Sequence, residues 1–167
     1  VIMDKGLITA AYGANWTGCY MLFDNLINAG KGNVTKYMTA RNLIKEFLLE
    51  YPMKTGYWTD GHTDTDIKSN NYKSNLSARN KAICLIDYPD LDPDWKTNIP
   101  DLIRWTEDHF IFRTAPGDPS TMWGANIVGE QDTFNFKMDY QTARYAAECA
   151  RWYSISGDET YREKAFR

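Results

Sequence analysis

The chain has 167 residues, of which 43% are hydrophobic and 14% aromatic, and its formal net charge is −3. This length predicts one globular domain over 1–167, because single domains commonly hold about 100–200 residues. The mild acidity and the lack of a basic cluster argue against a nucleic-acid partner. The sequence also holds no apolar run of membrane-spanning length, and no membrane partner is expected.

Two helices are predicted in the first third of the chain, where apolar residues recur every three or four positions. The first has the stripe Trp16, Cys19, Tyr20, Phe23, Leu26 and Ile27. It ends at Gly30 and Gly32, because glycine favours the left-handed backbone at a helix end. Asn33 is placed to cap the second helix, and Pro52 stops it because proline lacks a backbone donor.

The middle of the chain predicts a shorter third helix and a fourth helix, joined by a connection of moderate length. Ser77 is placed to cap the third helix, which continues through Ile86. The fourth helix is predicted to start near Asn98, so that Pro100 falls in its first turn, where proline is tolerated. It continues to Phe110.

The fifth helix has the clearest two-sided pattern. Its apolar side is formed by Met138, Tyr145, Ala146, Cys149, Trp152 and Tyr153. The opposite, polar side is formed by Lys137, Gln141, Arg144, Glu148 and Arg151. The Ser-Gly-Asp sequence at 156–158 ends this helix and caps a sixth one over 159–167.

Two long connections, 51–76 and 113–135, interrupt the helical pattern. Short connections make neighbouring helices antiparallel, so both long ones are expected at the same end of the molecule, together with residues 12–14. Connections of this length in compact domains are usually functional or disordered, and their many large apolar side chains favour order. We therefore expect function at this end.

The first long connection carries Asp60, His62, Asp64 and Asp66 at alternate positions. Alternation can bring oxygen ligands together around calcium, for which Asp60, Asp64 and Asp66 are the candidate ligands, but the EF-hand pattern fails because Thr65 stands where glycine is required. A second interpretation is that these side chains form turns and caps. The third is a catalytic or sugar-binding role. No cofactor other than calcium is indicated.

The second long connection carries Glu130 and Asp132 shortly before the fifth helix. Either carboxyl group can act as a general acid or base if burial raises its pKa. Alternatively, both acids stabilise the positive amino-terminal end of the helix that follows. His109 is interpreted as a packed helix residue. The three cysteines lie at apolar helix positions, which predicts buried free thiols and neither a disulfide framework nor a zinc site.

Residues 123–131, with the sequence WGANIVGEQ, begin a series of motifs that continues to Arg167. Over about Ala82 to Arg167 the chain resembles a group of bacterial proteins whose helical hairpins are similar to those of the six-hairpin glycosidase and polysaccharide-lyase (α/α) toroids. The resemblance implies the fold but supplies no established catalytic residue. Such toroids have more helices than the six predicted here, which implies that the chain is a fragment of a larger toroid.

The combined prediction is an all-α fold of antiparallel helical hairpins, part of an (α/α) toroid, with a cleft for an oligosaccharide or polysaccharide in the long loops. Tyr57, Trp58 and Trp123 would stack on sugar rings. Further substrate-binding candidates are Asn126, Gln131, Asp132 and Arg113. Glycoside hydrolysis needs two carboxyl groups, for which Glu130 and one of Asp60 or Asp64 are the candidates.

Two other functions stay open. A polysaccharide lyase would use His62 as the base and Arg113 to neutralise a uronate. A non-catalytic helical scaffold or protein-interaction domain would use the loops for packing, since a shared fold does not establish a shared function. We expect a periplasmic or secreted location, although no targeting segment is visible in the sequence.

Overall fold

The computed structural model describes residues 3–4, 7–8, 14–50, 75–112, 127–129 and 139–166. These residues form six α-helices, which confirms the all-α prediction: α1 Ala14–Asn28, α2 Val34–Glu50, α3 Asn75–Asp87, α4 Trp95–Phe110, α5 Asp139–Ser156 and α6 Glu159–Phe166. A 3-10 turn, Pro89–Leu91, lies between α3 and α4. Four two-residue strands are also present: β1 Met3–Asp4, β2 Leu7–Ile8, β3 Ile111–Phe112 and β4 Ile127–Val128. None of the helices described is long and apolar enough to cross a bilayer.

The turns within the first and third hairpins form as their residues predict. Gly30 and Gly32 have φ values of 61° and 67°, in the left-handed region that glycine adopts without a Cβ penalty. Asn33 then caps α2, because its Oδ1 accepts the Lys36 amide at 3.0 Å. At the other turn, Gly157 has φ 70° and the Asp158 Oδ1 accepts the Thr160 amide at 2.9 Å.

The predicted starts of α3 and α4 were each too late. α3 begins at Asn75, so Ser77 lies within its first turn. α4 begins at Trp95, which places Pro100 inside the helix and beyond the first turn. The start of α4 is displaced because Asp92 organises the preceding turn: its Oδ1 accepts the Asp94 amide at 2.9 Å and its Oδ2 accepts the Asn98 side-chain amide at 2.8 Å.

The β3–β4 pairing was not predicted from the sequence. Ile111 faces Val128 and Phe112 faces Ile127 in antiparallel register. The Gly129 amide extends the pairing by donating to the Phe110 carbonyl at 2.8 Å. The second long connection is therefore divided in two, with residues 113–126 between the paired strands and residues 130–138 leading into α5.

The helices form three hairpins, α1–α2, α3–α4 and α5–α6, and α3 contacts both α1 and α5. Two side-chain contacts give the relative direction of α3 and α5. Near the start of both helices, Arg79 Nη1 donates to Gln141 Oε1 at 3.4 Å. Near the end of both, Arg151 forms an ion pair with Asp87. The two helices therefore run parallel, side by side.

The core lies between the hairpins and is formed mainly by α3, α4 and α5. Its fully buried apolar members on α3 and α4 are Ala78, Ala82, Cys84, Leu85, Ile99, Leu102, Ile103 and Phe110. From α5, Trp152 places its ring 6.1 Å from that of Trp95 in α4 and 6.4 Å from that of Tyr161 in α6, edge to face in both cases. This one indole joins three helices.

Candidate functional site

All residues that the sequence singled out for catalysis, substrate binding or calcium lie outside the described residues. They are Glu130, Asp60, Asp64, His62, Tyr57, Trp58, Trp123, Asn126, Gln131, Asp132, Arg113 and Asp66. Their roles stay predictions. The described residues do define the framework from which both candidate loops extend.

The parallel arrangement of α3 and α5 bears directly on where these loops attach. Residues 51–74 lead into the start of α3, and residues 130–138 lead into the start of α5. The Arg79–Gln141 hydrogen bond joins the second turn of α3 to the first turn of α5. The points at which both connections enter the helices are therefore adjacent and at the same end of the hairpins.

Four long polar side chains are buried on these two helices, and we call them the buried polar layer: Arg79 and Gln141 near the helix starts, Lys81 further along α3, and Glu148 two turns further along α5. Their exposed fractions are 5% for Arg79, 0% for Lys81, 0% for Gln141 and 1% for Glu148. Arg79 also donates to Asn80 Oδ1 at 3.0 Å, and the Gln141 side-chain amide donates to the Tyr140 hydroxyl at 2.7 Å. Long polar side chains are seldom buried this completely unless the surrounding structure engages them.

The prediction that Gln141 and Glu148 lie on the polar side of the fifth helix, opposite its core face, was wrong. Both are buried beside Tyr145 and Trp152 on the face of α5 that contacts the core. The signal is present in the sequence, since residues 141, 145, 148 and 152 follow the four-three-four spacing of a single helix face. The spacing was missed because Gln141 and Glu148 are polar and were therefore assigned to the opposite side of the helix.

A second polar contact, centred on Glu107 of α4, joins three helices at the margin of the core. Glu107 Oε1 accepts the Tyr145 hydroxyl of α5 at 2.6 Å and lies 2.7 Å from Nζ of Lys164 in α6. Burial, followed by the negative charges and hydrogen bonds of Cys149 and Glu107, raises the pKa of Tyr145 well above its ordinary value. Tyr145 is therefore a fixed, neutral hydrogen-bond donor.

Replacing Tyr145 with phenylalanine should lower the free energy of unfolding by about 1.5–3 kcal/mol, because Glu107 would lose a charge-assisted hydrogen bond in a partly desolvated site. The matched control is Tyr153→Phe. Tyr153 donates to Glu159 Oε1 at 2.9 Å, but this contact is solvent-exposed. Its loss should cost about 0.5 kcal/mol or less. Urea unfolding of both variants measures the difference, and equal costs would contradict a structural role for the Tyr145–Glu107 bond.

Glu148 is the most unusual titratable group among the described residues. Neither of its carboxylate oxygens has a hydrogen-bond partner there, although the side chain is enclosed. Burial raises its pKa to about 8, with the Arg79 charge acting in the opposite direction and the Glu107 charge adding to the rise. Burial therefore favours the neutral form of this side chain.

The three cysteines are free, as predicted. Cys84 and Cys149 are buried, whereas Cys19 is half-buried. Burial raises the pKa of the Cys84 thiol and of the Cys149 thiol to about 12. Since the thiolate is the reactive form, neither of these two side chains is suited to be a nucleophile near neutral pH.

His109 and the other potential metal ligands can have one of two common roles, packing or metal binding. His109 is solvent-exposed, but its ring lies 4.5 Å from that of Trp105 and its Nδ1 is 2.7 Å from the Trp105 carbonyl oxygen, to which it donates. It therefore packs on its own helix, as predicted. No three His, Cys, Asp or Glu side chains converge to hold a metal ion within the described part of the chain.

Comparison of the chain with protein-family models, with curated proteins and with solved structures gives no match.

Proposed function

We propose that the chain is a carbohydrate-active helical-hairpin protein, similar to glycoside hydrolases, that binds a sugar chain between its two long connections. The observation that carries this proposal is the Arg79–Gln141 contact between parallel helices, because the helix starts that follow the two connections are adjacent. Two aromatic and acidic loops leaving from neighbouring points can form opposite walls of one cleft.

The residues of the two connections provide suitable chemistry for such a cleft. Tyr57, Trp58 and Trp123 present flat apolar faces on which sugar rings stack. Glu130 and one of Asp60 or Asp64 are proposed as the two carboxyl groups, one protonating the leaving oxygen and the other activating water or attacking the sugar. The larger (α/α) toroid, of which this chain would form part, is proposed on the sequence resemblance, and the side-by-side contacts α1–α3 and α3–α5 agree with it.

The buried Arg79–Gln141 contact gives the proposed cleft a fixed base. A binding site retains its geometry only when the elements beneath it are fixed by packing and hydrogen bonds. Arg79 and Gln141 fix the starts of α3 and α5 to each other in this way. We therefore assign these two residues a positioning role and not a contact with the sugar.

The second candidate function, a non-catalytic scaffold or protein-interaction domain, is favoured by one surface feature. An apolar groove of about 530 Å³ lies between α5 and α6, lined by Ala146, Ala147, Ala150, Tyr153, Arg162, Ala165 and Phe166. Phe166 is 82% exposed at its edge. Exposed aromatic side chains beside an apolar groove are common where another helix docks.

Calorimetric titration with a panel of neutral and uronate-containing oligosaccharides tests the proposal. We expect binding that weakens by at least about tenfold in Trp58→Ala and in Trp123→Ala, which corresponds to about 1.4 kcal/mol or more per lost stacking contact. Phe166→Ala is the control, since it removes an exposed aromatic ring outside both connections. No binding to any member of the panel, or loss of binding in the control alone, would contradict the proposal.

Product analysis then separates the two enzyme classes. Hydrolysis adds water across the glycosidic bond, whereas elimination from a uronate leaves a double bond that absorbs in the ultraviolet. We expect saturated products that disappear in Glu130→Gln. Unsaturated products that depend on His62 would identify a lyase instead.

A further inference from the structure

Glu148 occupies a position in the core that is poorly suited to a negative charge. Its side chain is 1% exposed, and neither carboxylate oxygen has a hydrogen-bond partner among the described residues. The Thr106 hydroxyl of α4 is likewise buried without a partner there. A buried carboxylate is stable only when hydrogen bonds or an opposite charge replace its lost hydration.

The charged groups of the surrounding helices supply only part of that compensation. From α3, the positive charge of Arg79 opposes the effect of burial, but Arg79 forms no hydrogen bond to Glu148 and donates instead to Gln141 and Asn80. Lys81, also buried on α3, does not hydrogen-bond to Glu148 either. From α4, Glu107 adds a second negative charge, and Lys164 of α6 pairs with Glu107. On α5 itself, the neighbouring Cys149 and Tyr145 carry no positive charge.

We propose that Glu148 is held as a neutral carboxylic acid in the folded protein. We further propose that loss of its proton weakens the contact between the second hairpin (α3–α4) and the third hairpin (α5–α6), which makes this contact sensitive to pH. With the proton in place, α5 packs its core face onto α3 and α4. When the proton is lost at alkaline pH, the negative charge of the Glu148 carboxylate requires hydration. Water can reach the carboxylate only if α5 separates from α3 and α4. This inference does not depend on the proposed carbohydrate function.

The direction of the pH effect follows from where the proton is held. In the unfolded chain a glutamate has a pKa near 4.3, and in the fold burial raises the pKa of Glu148 to about 8. Between these two values the folded state keeps a proton that the unfolded state has released. The stabilisation is therefore complete below pH 4 and is lost progressively up to about pH 8. Over this window the unfolding constant should rise about tenfold for each pH unit.

The decisive experiment is urea unfolding of the wild-type chain, Glu148→Gln and the control Glu46→Gln at pH values from 5 to 9. The amide has nearly the shape of the neutral acid and cannot ionise. We expect the ratio of wild-type to Glu148→Gln unfolding constants to rise about tenfold per pH unit up to about pH 8 and then to level off. Glu46 is exposed on α2, so its variant should follow the wild type throughout. A ratio that is constant with pH overturns the proposal.

Two measurements on the wild-type chain keep the proposal testable even if Glu148→Gln does not fold. The infrared spectrum at pH 6 should contain the carbonyl band of a protonated carboxylic acid, which disappears by pH 9. If no such band is present at pH 6, Glu148 is already ionised and the proposal fails.

Alkylation of Cys149, monitored by mass spectrometry, reports opening of the neighbouring core. Its labelling should accelerate between pH 7 and pH 9 by about tenfold more than the rise in thiolate concentration alone accounts for, because each lost proton favours the open form. Cys19 is the internal reference, since it is half-buried on α1, away from this contact. Equal acceleration at both cysteines would show that α5 does not open.

Discussion

Trp152→Ala should lower the free energy of unfolding by about 3–5 kcal/mol, the range for truncating a large buried aromatic side chain. The indole is 5% exposed and forms edge-to-face contacts with Trp95 of α4 and Tyr161 of α6. Its removal leaves a cavity where three helices meet, and α6 cannot easily fill it because only a short turn joins α6 to α5. The loss is comparable with the whole stability of many single domains.

Two further variants show whether this effect comes from packing. Trp152→Phe keeps an aromatic ring at the junction and should recover at least half of the lost free energy. Phe166→Ala removes an aromatic ring that is 82% exposed and should change stability by about 0.5 kcal/mol or less. Urea unfolding measures all three. A large loss in Phe166→Ala would mean that its ring is covered in solution.

Phe110→Ala is the second substitution with a large expected effect, also about 3–5 kcal/mol. Phe110 is 1% exposed, and its ring lies 5.4 Å from that of Trp105. It is also the last residue of α4 and precedes β3 directly, so its ring anchors the point where helix changes to strand. Shifting this point would disturb the alignment of Ile111 with Val128.

The conservative variant Phe110→Leu distinguishes the loss of apolar volume from the loss of the shape of the aromatic ring. It retains most of the apolar volume and should cost less than about 1.5 kcal/mol if loss of packing is the main effect. Thermal unfolding followed by circular dichroism compares the two substitutions. If leucine proves as damaging as alanine, the shape of the ring, and not the volume it fills, determines the register of the strands.

Those parts of the fold that depend on local chemistry could be predicted from the sequence. Gly30 and Gly32 end α1, and Asn33 and Asp158 cap the helices that follow them, because each makes its contacts within a few residues of its own position. Short turns then required antiparallel hairpins. The parallel contact of α3 with α5 agrees with this alternation.

The remaining features depend on distant partners and could not be predicted in the same way. β3 and β4 are each two residues long, too short for a periodic pattern, and they form because α4 and α5 bring them together. The burial of Gln141 depends on Arg79, which is distant in sequence. Glu148 was assigned to the polar side of its helix because an unpartnered carboxyl group in a core contradicts the usual rule.

The candidate site was predicted from composition and from loop position, and only the loop position can be compared with the described helices. The starts of α3 and α5 are adjacent, as the shared end for both connections requires. The convergence of Glu130 with Asp60 or Asp64 depends on contacts within the two connections, which no periodic pattern specifies. The binding and product experiments therefore test the proposed pairing of Glu130 with Asp60 or Asp64.

The β3–β4 pairing also determines where the chain can accept insertions without a change in its helices. Residues 113–126 begin and end at neighbouring strands that are already hydrogen-bonded. The entropy of closing such a loop grows only with the logarithm of its length, so doubling the segment would cost about 0.6 kcal/mol. Insertions between β3 and β4 would not displace the start of α5. Insertions in this segment should therefore be compatible with the same helices.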